Sequence, residues 1–174
     1  MTRKMNARLA GFTFLFYIVT GVTSMVLFGK ATSGAEGIPA TLASIAGHAM
    51  LVRLTVVLTL ITFVCALVLG VTLYALTRDE DRELAMIALC CRVSEGVIGA
   101  VSTVRTLGLI SIATAGTAAA ASDVAAANAL GGLLLNQGAW TGRIGAICFA
   151  IGSTLFATSS CEPGPFRSRW RGSA

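Results

Sequence analysis

Two ionisable residues stand inside one of the most apolar stretches of this chain: Arg92 and Glu95, in "CCRVSEG" (residues 90–96). Three residues apart on a helix, they are neighbours on its surface and can form an ion pair. A carboxylate and a guanidinium at that depth have two uses. They can be a structural pair that fixes how a helix packs, or Glu95 can exchange a proton or bind a ligand in a polar cavity, with Arg92 tuning it. Around them, Gly96, Gly99, Ser102, Thr103 and Thr106 fall on the same side of a helical wheel, while Val93, Val97, Val101 and Val104 gather elsewhere. A polar, small-residue stripe therefore opposes an aliphatic face. The stripe must look into protein or water, because a charge at the centre of a bilayer costs ~2.5 to 3.5 kcal/mol even on insertion scales.

The rest of the sequence says what must position this pair. Of 174 residues, 55% are hydrophobic and 12% charged, with a mean hydropathy of +0.81; soluble domains carry about 25% charged residues. The apolar residues come in four blocks of roughly 18 or more, the length that spans a ~30 Å hydrocarbon core. The expected fold is all-α: a bundle of about four transmembrane helices over residues 9–29, 52–76, 84–112 and 139–158. A basic N-terminus (1–8) precedes it and a polar, disordered tail (159–174) follows. The first run exceeds the ~7 to 15 apolar residues of a signal peptide and lacks a good cleavage site, so it is read as a retained helix.

One or two interfacial helices are expected as well. Ile38, Leu42, Ile45 and Ala49 recur at helical spacing, and Pro39 suits a first helical turn. The alanine-rich stretch 113–132 predicts a surface or half-inserted helix of its own, started at Ser122–Asp123. The hydrophilic link "TRDEDRE" (residues 77–83) is short enough for a tight turn between antiparallel helices.

Lysines and arginines near helix ends give an orientation. With the N-terminus inside, Arg3, Lys4, Arg8, Arg78, Arg82, Arg167, Arg169 and Arg171 lie inside, and Lys30, Arg53, Arg105 and Arg143 outside. Both termini are then cytoplasmic, in an inner or plasma membrane. Arg53, Arg105 and Arg143 read as outer interfacial anchors whose heads snorkel to the surface, or as a shared rim for anionic groups. In the fourth span, Gly138, Gly142, Ala146 and Ala150 repeat every four residues and mark a helix-packing ridge, as do Gly96 and Gly99 in the third.

Several functions are excluded or unsupported. The basic residues punctuate apolar helices instead of forming a basic face, so no nucleic-acid partner is expected. The five cysteines lack metal-ligand spacing and there is a single histidine, so neither a metal site nor a disulfide framework follows. No nucleophile, zinc-protease or nucleotide-loop motif is present, and no cofactor or enzymatic activity is expected. The expected partners are the lipid bilayer and, through small-residue faces, another copy or another membrane protein.

The stretches "ARLAGFTFLFYIVTG" (7–21), "LVRLTVVLTL" (51–60) and "AMIALCCRVSEGVIGAV" (85–101) together resemble a family of multipass bacterial membrane proteins catalogued as domain of unknown function 4386. The resemblance runs from Ala7 to about Phe156 and rests on the order and spacing of these apolar motifs. It implies a bundle of about six helices without an established activity, and it singles out Arg53, Arg92 and Glu95. The chain departs from the pattern at "TSSCEPGPFRSRWRGSA", where further apolar helices are expected. A truncated or frame-shifted copy is therefore expected, with one bundle face lacking its usual partners. The functional expectation is a non-enzymatic structural or accessory membrane protein, or alternatively a small transporter-like protein that uses Glu95 with Arg92.

Overall fold

Alternating long apolar blocks with one short charged link leave the chain little choice but antiparallel helices, since lipid satisfies no backbone hydrogen bonds. The computed structural model describes residues 3–115 and 121–160, which form five α-helices: α1 (Arg3–Thr32), α2 (Gly37–Gly47), α3 (Ala49–Thr77), α4 (Arg82–Ala115) and α5 (Ala121–Ser160). Among the described residues there is no strand. Four helices, α1, α3, α4 and α5, are long and apolar enough to cross a membrane. The disordered tail expected from the sequence falls largely outside the described residues.

The helices pack in the order α1, α3, α4, α5, each antiparallel to its neighbour. Between α1 and α3 the contact is a ladder of hydroxyls: Ser24 donates to the Thr55 carbonyl and meets Thr59 Oγ1, both at 3.2 Å, and Thr62 donates to Thr20 Oγ1 at 3.0 Å. Many of these hydroxyls also bond a carbonyl one turn back in their own helix, which keeps them satisfied in an apolar setting. The α3–α4 turn is closed by Asp81, whose carboxylate accepts from the backbone N–H groups of Glu83 and Leu84 at 3.0 and 3.1 Å, capping α4. A reversal through Gly34 and Gly37, both at positive φ (76° and 84°), carries α1 into α2.

Helix α2 seats itself across the end of the bundle. Its Leu42 and Ile45 are buried in a cluster with Ala31, Val52, Leu109, Ile110 and Ala113, and Ile38 and Leu42 press onto Gly132 and Gly131 of α5. The sequence placed an amphipathic helix here correctly. It did not foresee that residues 121–132 would form no separate surface helix. They are the first turns of a continuous 40-residue α5, because the alanine-rich segment favours helix right up to the point where the bare backbone at Gly131 and Gly132 receives α2.

Candidate functional site

Arg92 is the largest fully buried side chain among the described residues, 1% exposed. Small residues make its place. A Cβ at Gly152 of α5 would stand 3.2 and 3.3 Å from Arg92 Cδ and Cγ, and one at Gly70 of α3 would stand 3.4 Å from Arg92 Cβ. The guanidinium donates from Nη1 to Glu95 Oε2 at 2.6 Å. Its Cζ lies 4.8 Å from the ring centroid of Tyr17 and 5.0 Å from that of Phe149, two rings that are themselves stacked at 5.8 Å. Nε and Nη2 are buried and find no hydrogen-bond acceptor among the described residues, so the aromatic faces supply the remaining stabilisation of the cation.

Glu95 is held from two sides. Its Oε2 takes the Arg92 bond, and its Oε1 accepts from the Tyr17 hydroxyl of α1. Arg53 and Arg78 bracket the apolar length of α3, about 37 Å at ~1.5 Å per residue, and the midpoint falls at Cys65 and Ala66. Ala66 lies against Gly96, so the adjacent Glu95 sits at mid-span. The expected pair is therefore present, midway along the apolar length of the helices. Tyr17 and Phe149 escaped the sequence reading. A phenol in the middle of an apolar run needs a partner, and that was the available signal for Tyr17; nothing local marked Phe149.

The carboxylate is not sealed. Glu95 and Tyr17 line a cavity of about 520 Å³ bounded by α1, α3, α4 and α5. Hydroxyls of Ser24, Thr59, Thr62, Ser102 and Thr141 contribute polar walls, Met25, Phe63 and Ile98 apolar ones, and Arg105 stands at the far end. The cavity exists because α1 and α5 do not come together along their backbones among the described residues; the stacked Tyr17 and Phe149 rings bridge them.

The glycines do not share the single packing role expected of them. Gly96 does pack, with a Cβ position 3.1 Å from Phe63. Gly99 and Gly142 have no atom within 4 Å of a Cβ and line the cavity instead. Gly138 accommodates a side chain: a Cβ there would collide with the guanidinium atoms of Arg105.

The three expected anchors also differ. Arg53 is exposed. Arg105 turns inward, half-buried between α4 and α5, and donates from Nη1 to the Leu134 carbonyl at 3.1 Å. Arg143 is exposed, with its guanidinium 5.0 Å from the Trp140 ring centroid, yet it lies about 10 Å deeper along α5 than the residues that receive Arg105. The sequence set it at the interface because it started the span at residue 139, whereas α5 is continuous through that point. Among the described residues, no group of His, Cys, Asp and Glu could hold a metal ion.

An all-helical protein with four apolar helices long enough to span a membrane, and an Arg–Glu–Tyr cluster beside a cavity with polar and apolar walls, is the class that fold and site define. The chain belongs to the family described as Domain of unknown function (DUF4386), whose model matches residues 9–162. No curated protein and no solved structure matches the chain.

Proposed function

We propose that this chain is a small, non-enzymatic, transporter-like protein of a bacterial plasma membrane, threaded as a multipass bundle with both termini in the cytoplasm. In this reading Glu95 is the ionisable site at which a proton or small cation is exchanged with the cavity. The observation that carries it is that Glu95, at mid-span and fixed by Arg92 and Tyr17, lines a cavity of about 520 Å³, within the ~300 to 1,000 Å³ of small-molecule sites. A purely structural pair has no need of such a space beside it. The positive-inside asymmetry of the sequence supports the orientation.

The near-complete burial of Arg92 between two rings supports a second reading, in which the cluster only locks α1, α4 and α5 together and the protein is a scaffold or accessory subunit. Dicyclohexylcarbodiimide separates the two, since this apolar reagent modifies carboxyls that are reachable within a membrane and can take a proton. In proteoliposomes, peptide mapping by mass spectrometry is expected to find Glu95 modified, faster at lower pH, and the site unmodified in Glu95→Gln. A wild-type Glu95 that stays unmodified, and becomes reactive only in Arg92→Gln, overturns the transport reading in favour of the scaffold.

A further inference from the structure

Beyond the role of Glu95, and independently of it, we infer that Arg105 holds the head group of a single-chain carboxylate amphiphile, of the fatty-acid type, that enters between α4 and α5 from the lipid. Arg105 has donors to spare. A guanidinium carries five N–H groups; one bonds the Leu134 carbonyl, and the buried Nε finds no acceptor among the described residues. Nor does any carboxylate among them pair with it, the nearest one lining the central cavity being Glu95, about 15 Å away along α4.

Arg105, Ser102 and Thr141 line both the central cavity and a second one of about 310 Å³. The guanidinium thus stands at the partition between them, in room that exists only because residue 138 is glycine. The second cavity changes character along its length. At the end nearer the start of α5 are the amides of Asn136 and Gln137; deeper lie Val101, Trp140 and Ile144, which are 64%, 58% and 50% exposed and so open the groove to the lipid side. Arg105 is about 15 Å from the mid-span level of Glu95, the edge of a ~30 Å hydrocarbon core. A cation at head-group depth, with polar amides beside it and an apolar groove running inward, matches an anionic head followed by one hydrocarbon chain. The Arg fork suits a carboxylate, and the small volume suits one chain better than the two of a phospholipid.

The test uses the full chain in phosphatidylcholine nanodiscs with Trp170→Phe, which leaves Trp140, a wall of the groove, as the sole tryptophan. Titration with 9,10-dibromostearate is expected to quench Trp140 saturably, while dibromostearyl alcohol gives only the linear quenching of free partitioning. Arg105→Gln is expected to weaken the apparent affinity on the order of tenfold or more, and Arg143→Gln by less than about threefold, its charge lying outside the groove. Saturable quenching by the alcohol, absence of saturation by the acid, or unchanged affinity in a folded Arg105→Gln would each overturn the inference. So would loss of the acid's effect when a fifth of the lipid is phosphatidylglycerol, since a phospholipid head would then be the occupant. The acid and alcohol comparison needs no variant, so it decides even if Arg105→Gln does not fold.

Discussion

Tyr17→Phe isolates the single hydroxyl that ties α1 to the charged pair. The substitution keeps the ring, and with it the stacking on Phe149 and the cation contact with Arg92; it deletes only the bond to Glu95. A hydrogen bond to a charged group is worth ~1.5 to 3 kcal/mol in proteins generally. Interhelical bonds in membranes average only ~0.6 and reach ~1.7 kcal/mol, because separated helices find other partners. The geometry decides between these figures. Ser and Thr hydroxyls here fall back on carbonyls of their own helix, but a phenol oxygen at the tip of its ring cannot reach one, so Tyr17 in a lone α1 loses its partner outright. Glu95, by contrast, keeps Arg92 in its own helix. A cost of about 1.5 kcal/mol is expected for Tyr17→Phe, near the upper membrane value. In a Glu95→Gln background, where the bond is neutral, about 0.6 kcal/mol is expected, leaving a coupling of about 1 kcal/mol. The assay is equilibrium unfolding in mixed micelles titrated with dodecyl sulfate, on the four proteins of the double-mutant cycle. Equal costs of Tyr17→Phe in the two backgrounds, or a cost under about 0.3 kcal/mol in the wild type, would refute the reasoning.

Gly152→Ala and Gly142→Ala make a matched pair in the same helix. The first methyl meets Arg92 and the Ala88 carbonyl at 3.2 to 3.3 Å and is expected to cost about 1 to 3 kcal/mol by overpacking, whereas the second enters open space and is expected to be neutral or to stabilise by up to ~1 kcal/mol; the same unfolding titration reads both. Gly131→Ala sets a methyl 2.8 Å from a Leu42 methyl, so α2 should lift from the bundle end, seen as faster proteolysis within residues 33–48 while the long helices stay protected. For the orientation, a cysteine at Asp79, whose side chain is 82% exposed in the α3–α4 turn, is expected in a cysteine-free background to react with a membrane-impermeant maleimide only after spheroplasts are permeabilised. Labelling of intact spheroplasts would invert the topology.

Four long apolar helices, the tight charged turn, the short helix with Pro39 in its first turn and the Arg92–Glu95 pair at mid-helix were all legible in the chain itself. Each rests on local or one-dimensional facts: block length against bilayer thickness, a run of charge, and i, i+3 proximity on one helix. The interior placement of Arg92, Gly96, Thr103 and Thr106, with Val97, Val101 and Val104 outward, follows equally from a helical wheel. What lay beyond the sequence depends on which helix faces which. Only the packing order brings Tyr17 of α1 and Phe149 of α5, far apart in the chain, onto one guanidinium. Only the gap between α1 and α5 turns Gly99 and Gly142 from packing residues into cavity walls, since a glycine marks a close approach only where a neighbour is present. And only the continuity of α5 brings Gly138 opposite Arg105, drawing inward a residue whose position near a helix end had suggested a snorkelling anchor. Helices in lipid are fixed one at a time by hydrophobicity and backbone bonding, but their mutual contacts are chosen by side chains distant in sequence, which no single-chain periodicity records.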